Sequence, residues 1–245
     1  MRRAADESGI APITRGRFPS PHPDASEGAV IGFVEYVADH YDRLLELSLE
    51  HLAVVLVGLL AGTVAGLGLG IAVYRRPRPR AWVLNVCGLI LTVPSLAMYA
   101  LLLALLGRIG TTPVVVALAL YSLLPIVRNT VTGLGGVDAA VVESAQGVGM
   151  GRWRRLWSIE LPLAWPVVLT GVRVSAVLLV GIAALGVLVQ GPGLGELIFA
   201  GLRTIGGPNA VNLALAGTLA IVVIAVLLDV LFLLIARLTT SKGLR

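Results

Sequence analysis

The 245-residue sequence predicts an all-α fold: a polytopic bundle of about five membrane-spanning helices, with six as the alternative count. Three observations carry that expectation. Hydrophobic residues make up 57% of the chain and charged residues only 13%, with a mean hydropathy of +0.91, whereas soluble domains hold about 45–50% apolar and about 25% charged residues. Five windows, 52–74, 81–107, 109–127, 174–195 and 204–228, contain no Asp, Glu, Lys or Arg, and each is near or above the roughly 20 residues needed to cross a hydrocarbon core. The basic residues between them fall in short clusters.

Taken in order, residues 1–29, with Pro12, Pro19, Pro21 and Pro23, read as a disordered tail. Met1-Arg2-Arg3 is followed by no apolar run, which argues against a signal peptide. Over 30–50 the residues Phe33, Val37, Tyr41, Leu44, Leu45 and Leu49 recur at helical spacing. They predict an amphipathic helix lying along the membrane surface and leading into the first span. The transmembrane region is expected over 51–238, with a tail over 239–245. The second window carries Pro94 near its middle, and either a kinked helix or a helix–break–helix fits, because freed backbone groups find partners inside a bundle. His40 and His51 are expected at a surface or interface, and no metal or cofactor site is expected, since no third ligand lies near them. Cys87 stands alone within an apolar run, so no disulfide framework exists.

The charge distribution sets orientation. The first fifty residues hold nine acidic against five basic side chains, and the remainder five against fourteen. A pI near 10 raises the question of nucleic acid, but the basic residues form no continuous stripe, and no nucleic-acid partner is expected. Arg75, Arg76, Arg78 and Arg80 follow the first window; Arg128, Arg152, Arg154 and Arg155 follow the third; Arg237, Lys242 and Arg245 lie at the end. The positive-inside rule puts these segments in the cytoplasm. Five spans then leave the N-terminus outside and the C-terminus inside a bacterial cell membrane. Trp82, Trp153, Trp157 and Trp165 fall beside the same segments, where interfacial anchors belong.

The segment between the third and fourth windows is the most informative. Glu143, Ser144, Ala145, Gly149, Ile159, Leu161 and Pro162 stand at the spacing Glu-Ser-Ala, three residues, Gly, nine residues, Ile, one residue, Leu-Pro. This resembles the signature loop of binding-protein-dependent ABC importer permeases, whose pattern has Ala where Ser144 stands. Asp138 can cap a helix starting at Ala139, glycines at 147, 149 and 151 permit a reversal, and a basic helix from Arg152 to Leu161 is expected along the membrane surface before Pro162 opens the next span. The resemblance implies an ABC type I importer permease fold in which loop 138–162 couples to cytoplasmic ABC ATPase subunits. It also implies an extracytoplasmic substrate-binding protein and a second permease copy or sister permease as partners, beside the lipid bilayer.

Other stretches narrow the resemblance to the osmoprotectant branch, importers of glycine betaine, carnitine, choline and related quaternary amines. They are Thr92-Val93-Pro94-Ser95-Leu96-Ala97, Leu124-Pro125-Ile126-Val127-Arg128-Asn129-Thr130, Gly171-Val172-Arg173 and the run over 191–199. Pro94, Ser95, Tyr99, Tyr121, Gly191, Gly193 and Gly195 are candidate pathway or gate residues. Packing or an interfacial position is the alternative for the tyrosines, and a helix-breaking outer loop for the glycines. Quaternary ammonium groups are held by aromatic faces, and the spans offer too few for a cage, so selection is expected in the binding protein. A permease for an amino acid or sulfonate, and a secondary transporter or channel, remain as alternatives.

No enzymatic activity is expected. The run from Gly147 to Gly151 lacks the Lys-Ser or Lys-Thr of a phosphate loop, and no Ser/His/Asp or Cys/His set is apparent. Finally, Arg173 and Asp229 interrupt apolar sequence. Counted from the adjoining loops they lie about 15 Å and about 12 Å along consecutive antiparallel helices. Buried charges in a membrane pair or face a polar interior, so a structural ion pair is expected.

Overall fold

The computed structural model describes residues 32–239, and all regular structure among them is helical. A short helix, α1 (32–39), is followed by α2 (Tyr41–Val73), α3 (Pro77–Thr92), α4 (Ser95–Leu106), α5 (Thr111–Gly135), α6 (Ala139–Gly147), α7 (Arg152–Arg155), α8 (Leu161–Ala183), α9 (Gly195–Arg203) and α10 (Ala210–Thr239). A π-turn over Leu156–Glu160 joins α7 to α8, and a 3-10 turn over Ala184–Val189 follows α8. Four helical stretches are long and apolar enough to cross a membrane, and the pair α3 and α4, bent by 101°, raises the count to five. No sixth occurs among the described residues. The proposed tail over 1–29, and residues 30, 31 and 240–245, lie outside the described residues.

The helices differ from the charge-free windows at their ends. Residues 41–50, assigned from the sequence to a separate surface helix, are the first turns of α2, which runs unbroken for 33 residues. Such a helix is about 50 Å long, and its polar first turns extend past the hydrocarbon. Asp42, Arg43, Glu46 and Glu50 end the window without ending the helix. The fifth window opens at Thr204, yet α10 starts at Ala210, because Gly206, Gly207 and Pro208 form a turn that carries no charge. At Pro94 the helix does break: Val93 is extended, Pro94 precedes α4, and the Tyr121 hydroxyl donates to the Val93 carbonyl at 2.7 Å.

At the centre, α2 packs on α5 and α5 on α8. Gly58, Gly62, Gly66 and Gly70 of α2 meet Leu118, Ser122, Ile126 and Thr130 of α5, one turn apart on both helices. A Cβ at Gly58 or Gly70 would stand 2.6 Å from its partner side chain, and one at Gly62 would overlap the Ser122 hydroxyl. Small residues at this spacing let two backbones approach closely in a membrane, where dispersion rather than water expulsion drives association. Gly171 of α8 continues the layer against Pro125 and Asn129. One core cluster holds Leu47, Val55, Tyr99, Leu118 and Leu179; a second, beside the α6–α7 loop, holds Val73, Cys87, Val127, Leu156 and Val168. By contrast α10 fully buries only Ala210, Ala216, Gly217, Ile224 and Leu228 of its 30 residues; Leu213, Ile221 and Phe232 pack on the core in part, and much of its remaining apolar length is exposed.

Candidate functional site

The α6–α8 segment begins with a capped helix. The Asp138 carboxylate accepts the N–H of Ala140 at 2.9 Å, satisfying one of the donors left free in a first turn. Ser144 donates to the Ala140 carbonyl at 2.7 Å, so the position that departs from the family pattern spends its hydroxyl inside its own helix. Ala145 is buried while Glu143 is exposed. After α6 the chain reverses through Gly149 at φ +80°, a left-handed conformation costing other residues about 1–2 kcal/mol. The Met150 N–H returns to the Ala145 carbonyl at 3.0 Å. Val141 and Val148 stay exposed at 40% and 75%, and they border a shallow apolar depression of about 450 Å³ that also reaches Met150 and Ile159. Helix α6 thus presents an exposed face of apolar and small residues beside this depression.

The far arm of this loop is anchored to the bundle. Glu160 is buried; its carboxylate accepts the Tyr74 hydroxyl at 2.7 Å, Arg75 Nη2 at 2.7 Å and Arg155 Nε at 2.8 Å. The end of α2, the α2–α3 connection and the α7 turn thus meet on one carboxylate. The sequence expectation of a separate surface helix ended by Pro162 gives way here. The π-turn carries α7 directly into α8, with the Leu161 N–H bonded to the Leu156 carbonyl, five residues back. Pro162, which has no N–H to give, follows closely on this π-turn, where the α-helical bonding pattern is already interrupted.

The candidate gate residues lie on the other side of the core. Tyr99 and Tyr121 are buried, and Tyr99 donates to the Ile182 carbonyl at 3.0 Å. Pro94 and Ser95 open α4 after the break. Gly191, Gly193 and Gly195 each sit where another element crowds the backbone. A Cβ at Gly191 would stand 2.5 Å from Val114, one at Gly193 2.8 Å from His51 Nδ1, and one at Gly195 would overlap the Ala184 carbonyl. His51 is itself fully buried, with Nε2 3.1 Å from the Val180 carbonyl, which corrects the surface position expected from the sequence. Flanked by Glu50 and the apolar Leu52, it gives no local sign that α2 turns it toward α8. Arg173 of α8 and Asp229 of α10 meet through two bonds, Nε to Oδ1 at 2.6 Å and Nη2 to Oδ2 at 2.8 Å. Each side chain remains about one-third exposed, at 34% and 35%.

Residues 58–241 match the family described as "Binding-protein-dependent transport system inner membrane component". The chain belongs to that family. A carnitine transport permease protein, OpuCD of Listeria monocytogenes, is 37% identical over 198 residues, covering 81% of this chain and 87% of its own. The osmoprotectant import permease protein OsmY of Salmonella typhimurium is 40% identical over 191 residues, covering 77% and 78%. The glycine betaine/carnitine/choline transport system permease protein OpuCB of Bacillus subtilis is 36% identical over 196 residues, covering 80% and 88%. Among solved structures, the MetNI methionine ABC transporter in an inward-facing form aligns with TM-score 0.72 at 20% identity, over 83% of this chain and 99% of the matched chain. The helical bundle is therefore the ABC importer permease fold, and the protein is an inner-membrane transport component.

Sequence reasoning passed over the Glu160 cluster and the glycine stripe of this permease. Glu160 did carry a signal: it is the only carboxylate between Glu143 and Glu196, set among three arginines. Its partners Tyr74 and Arg75 lie some 85 residues away in sequence, and no local pattern points to them.

Proposed function

We propose that this permease is the membrane subunit of an ATP-driven importer of osmoprotectants: glycine betaine, carnitine, choline or related quaternary amines. The observation that carries the substrate class is that relatives named for these compounds align over about four-fifths of the chain. A partner chain hydrolyses ATP. Helix α6, with its exposed Val141 and Val148 and the reversal at Gly149, is the element that docks into the ATPase. The bonds from Glu160 to Tyr74, Arg75 and Arg155 make the loop rigid enough to pass a rigid-body shift to α2 and α8 together.

In this reading two copies of the permease, or one copy and a sister chain, assemble with two ATPase subunits. An extracytoplasmic binding protein selects and delivers the solute. The loop side is cytoplasmic and the turn between α9 and α10 faces outward. Pro94 and Ser95 at the break and the glycines at 191, 193 and 195 form the hinge of the pathway, while the buried Tyr99 and Tyr121 pack the bundle behind it. The Arg173–Asp229 pair locks α8 to α10 and does not contact solute. Uptake of radiolabelled glycine betaine, carnitine and choline, measured with the cognate ATPase and binding protein, tests the substrate class. ATP-dependent uptake of at least one, competed by the others, is expected. Transport of an amino acid or sulfonate with none of the three taken up would overturn it.

A further inference from the structure

A groove of about 470 Å³ runs between α2 and the α7–α8 junction, lined on one side by Val64, Gly68 and Ile71 and on the other by Arg152, Trp153 and Trp157. Gly68 faces the open space of this groove: a Cβ there would meet nothing within 4 Å. Along α2 the lining spans Val64 to Ala72, about 12 Å of helix. Val64 is 66% exposed on a helix long and apolar enough to cross a membrane, so the groove is open along the apolar length of that helix. At the same place the chain concentrates positive charge. Arg75, Arg76, Arg78 and Arg80 follow α2, and Arg152, Arg154 and Arg155 form α7. The bonds of Arg75 and Arg155 to the shared Glu160 bring these two segments together. Among the described residues the one carboxylate ion-paired with any of these seven arginines is Glu160, which is buried and fully engaged by Tyr74, Arg75 and Arg155. Arg152 has no carboxylate partner among the described residues; its guanidinium lies 5.8 Å from the centroid of the Trp153 ring.

We propose that this groove seats one anionic phospholipid, its phosphate on Arg152 and an acyl chain along the Gly68 face between α2 and Trp157. Chemistry decides the class of occupant. An apolar trough facing hydrocarbon takes an alkyl chain. Tryptophan rings favour the headgroup level, and an unpaired guanidinium surrounded by other cations prefers a headgroup of net negative charge. A zwitterionic lipid brings its own ammonium group into that positive field and is disfavoured. The inference rests on the membrane placement of the permease and is independent of which solute it carries.

Brominated lipids test it directly, since bromine on an acyl chain quenches a nearby indole. In the full chain carrying Trp82→Phe, Trp153→Phe and Trp165→Phe, Trp157 is the only reporter. Vesicles of phosphatidylcholine are doped with either dibrominated phosphatidylglycerol or dibrominated phosphatidylcholine. Half-maximal quenching is expected at a several-fold lower mole fraction of the brominated phosphatidylglycerol. Arg152→Gln should remove that preference while leaving quenching by phosphatidylcholine in place, and Arg78→Gln, outside the groove, should leave the preference intact. Gly68→Leu fills the trough and should weaken quenching by both lipids. Equal quenching by the two lipids in the parent, a preference that survives Arg152→Gln, or one lost equally with Arg78→Gln, overturns the seat. So does a Trp157 that neither lipid quenches, the result expected if a second copy of the chain covers the groove. The Arg152→Gln comparison decides alone if Gly68→Leu does not fold.

Discussion

Arg173 and Asp229 put opposite charges on neighbouring helices inside apolar sequence, and two bonds of 2.6 and 2.8 Å hold them together. Taking away one partner leaves the other facing helix or lipid without compensation, and such a group is more costly than the pair. Arg173→Ala and Asp229→Ala are each expected to lower the amount of folded permease in the membrane and the uptake it supports. The exchange Arg173→Asp with Asp229→Arg should recover part of both. Fluorescence-detected gel filtration and solute uptake on the same four proteins check this; strictly additive damage rules the pair out as a lock. These two residues are legible in the sequence because each interrupts an apolar run and helix rise gives its depth. Glu160 is not legible in the same way. Its three donors come from residues 74, 75 and 155, and only the folded chain brings the end of α2 to the start of α8.

At the scale of helices, the contact between α2 and α5 depends on the absence of side chains. Gly62 would place a Cβ on the Ser122 hydroxyl, whereas a Cβ at Gly68, six residues further along α2 and on another face, meets nothing within 4 Å. Overpacking a tight contact costs about 1–3 kcal/mol. Gly62→Val is therefore expected to lower the thermal unfolding midpoint in detergent clearly, while Gly68→Val leaves it near the parent. Equal midpoints for the two variants would show that the helices separate freely at Gly62. The four-residue repeat of Gly58, Gly62, Gly66 and Gly70 is present in the sequence, but a search for charge-free windows gives it no weight. The same filter explains the misplaced ends. It stopped at Glu50 although α2 carries charges in its first turns, and it ran through Gly206, Gly207 and Pro208 because a turn need not be charged. Proline and glycine mark helix ends more directly than charge does: Pro94 stands at a break and Gly149 at φ +80°.

For the whole molecule, orientation across the membrane is the property on which coupling depends, and the arrangement of α8 and α10 makes it testable at two points. Trp165, one turn into α8, donates to Thr239 at the end of α10 at 2.9 Å. The Arg173–Asp229 bonds tie the next stretch of the same two helices, so they run antiparallel. The α6–α7 loop, which leads into α8, therefore lies at the Thr239 end of α10. The turn between α9 and α10 lies at its opposite end, 30 residues away, about 45 Å of helix, more than a hydrocarbon core of roughly 30 Å. Val148 in the first loop is 75% exposed and Ile205 in the second 77%, so a cysteine at either is open to reagent. In a Cys87→Ala background, Ile205→Cys is expected to react with a membrane-impermeant maleimide added to intact cells. Val148→Cys should react only after the cells are opened. Basic residues decide the sign: Arg152, Arg154 and Arg155 adjoin Val148, while Arg203 alone adjoins Ile205. Labelling of Val148→Cys from outside, with Ile205→Cys protected, would invert the molecule and remove α6 from any ATPase in the cytoplasm.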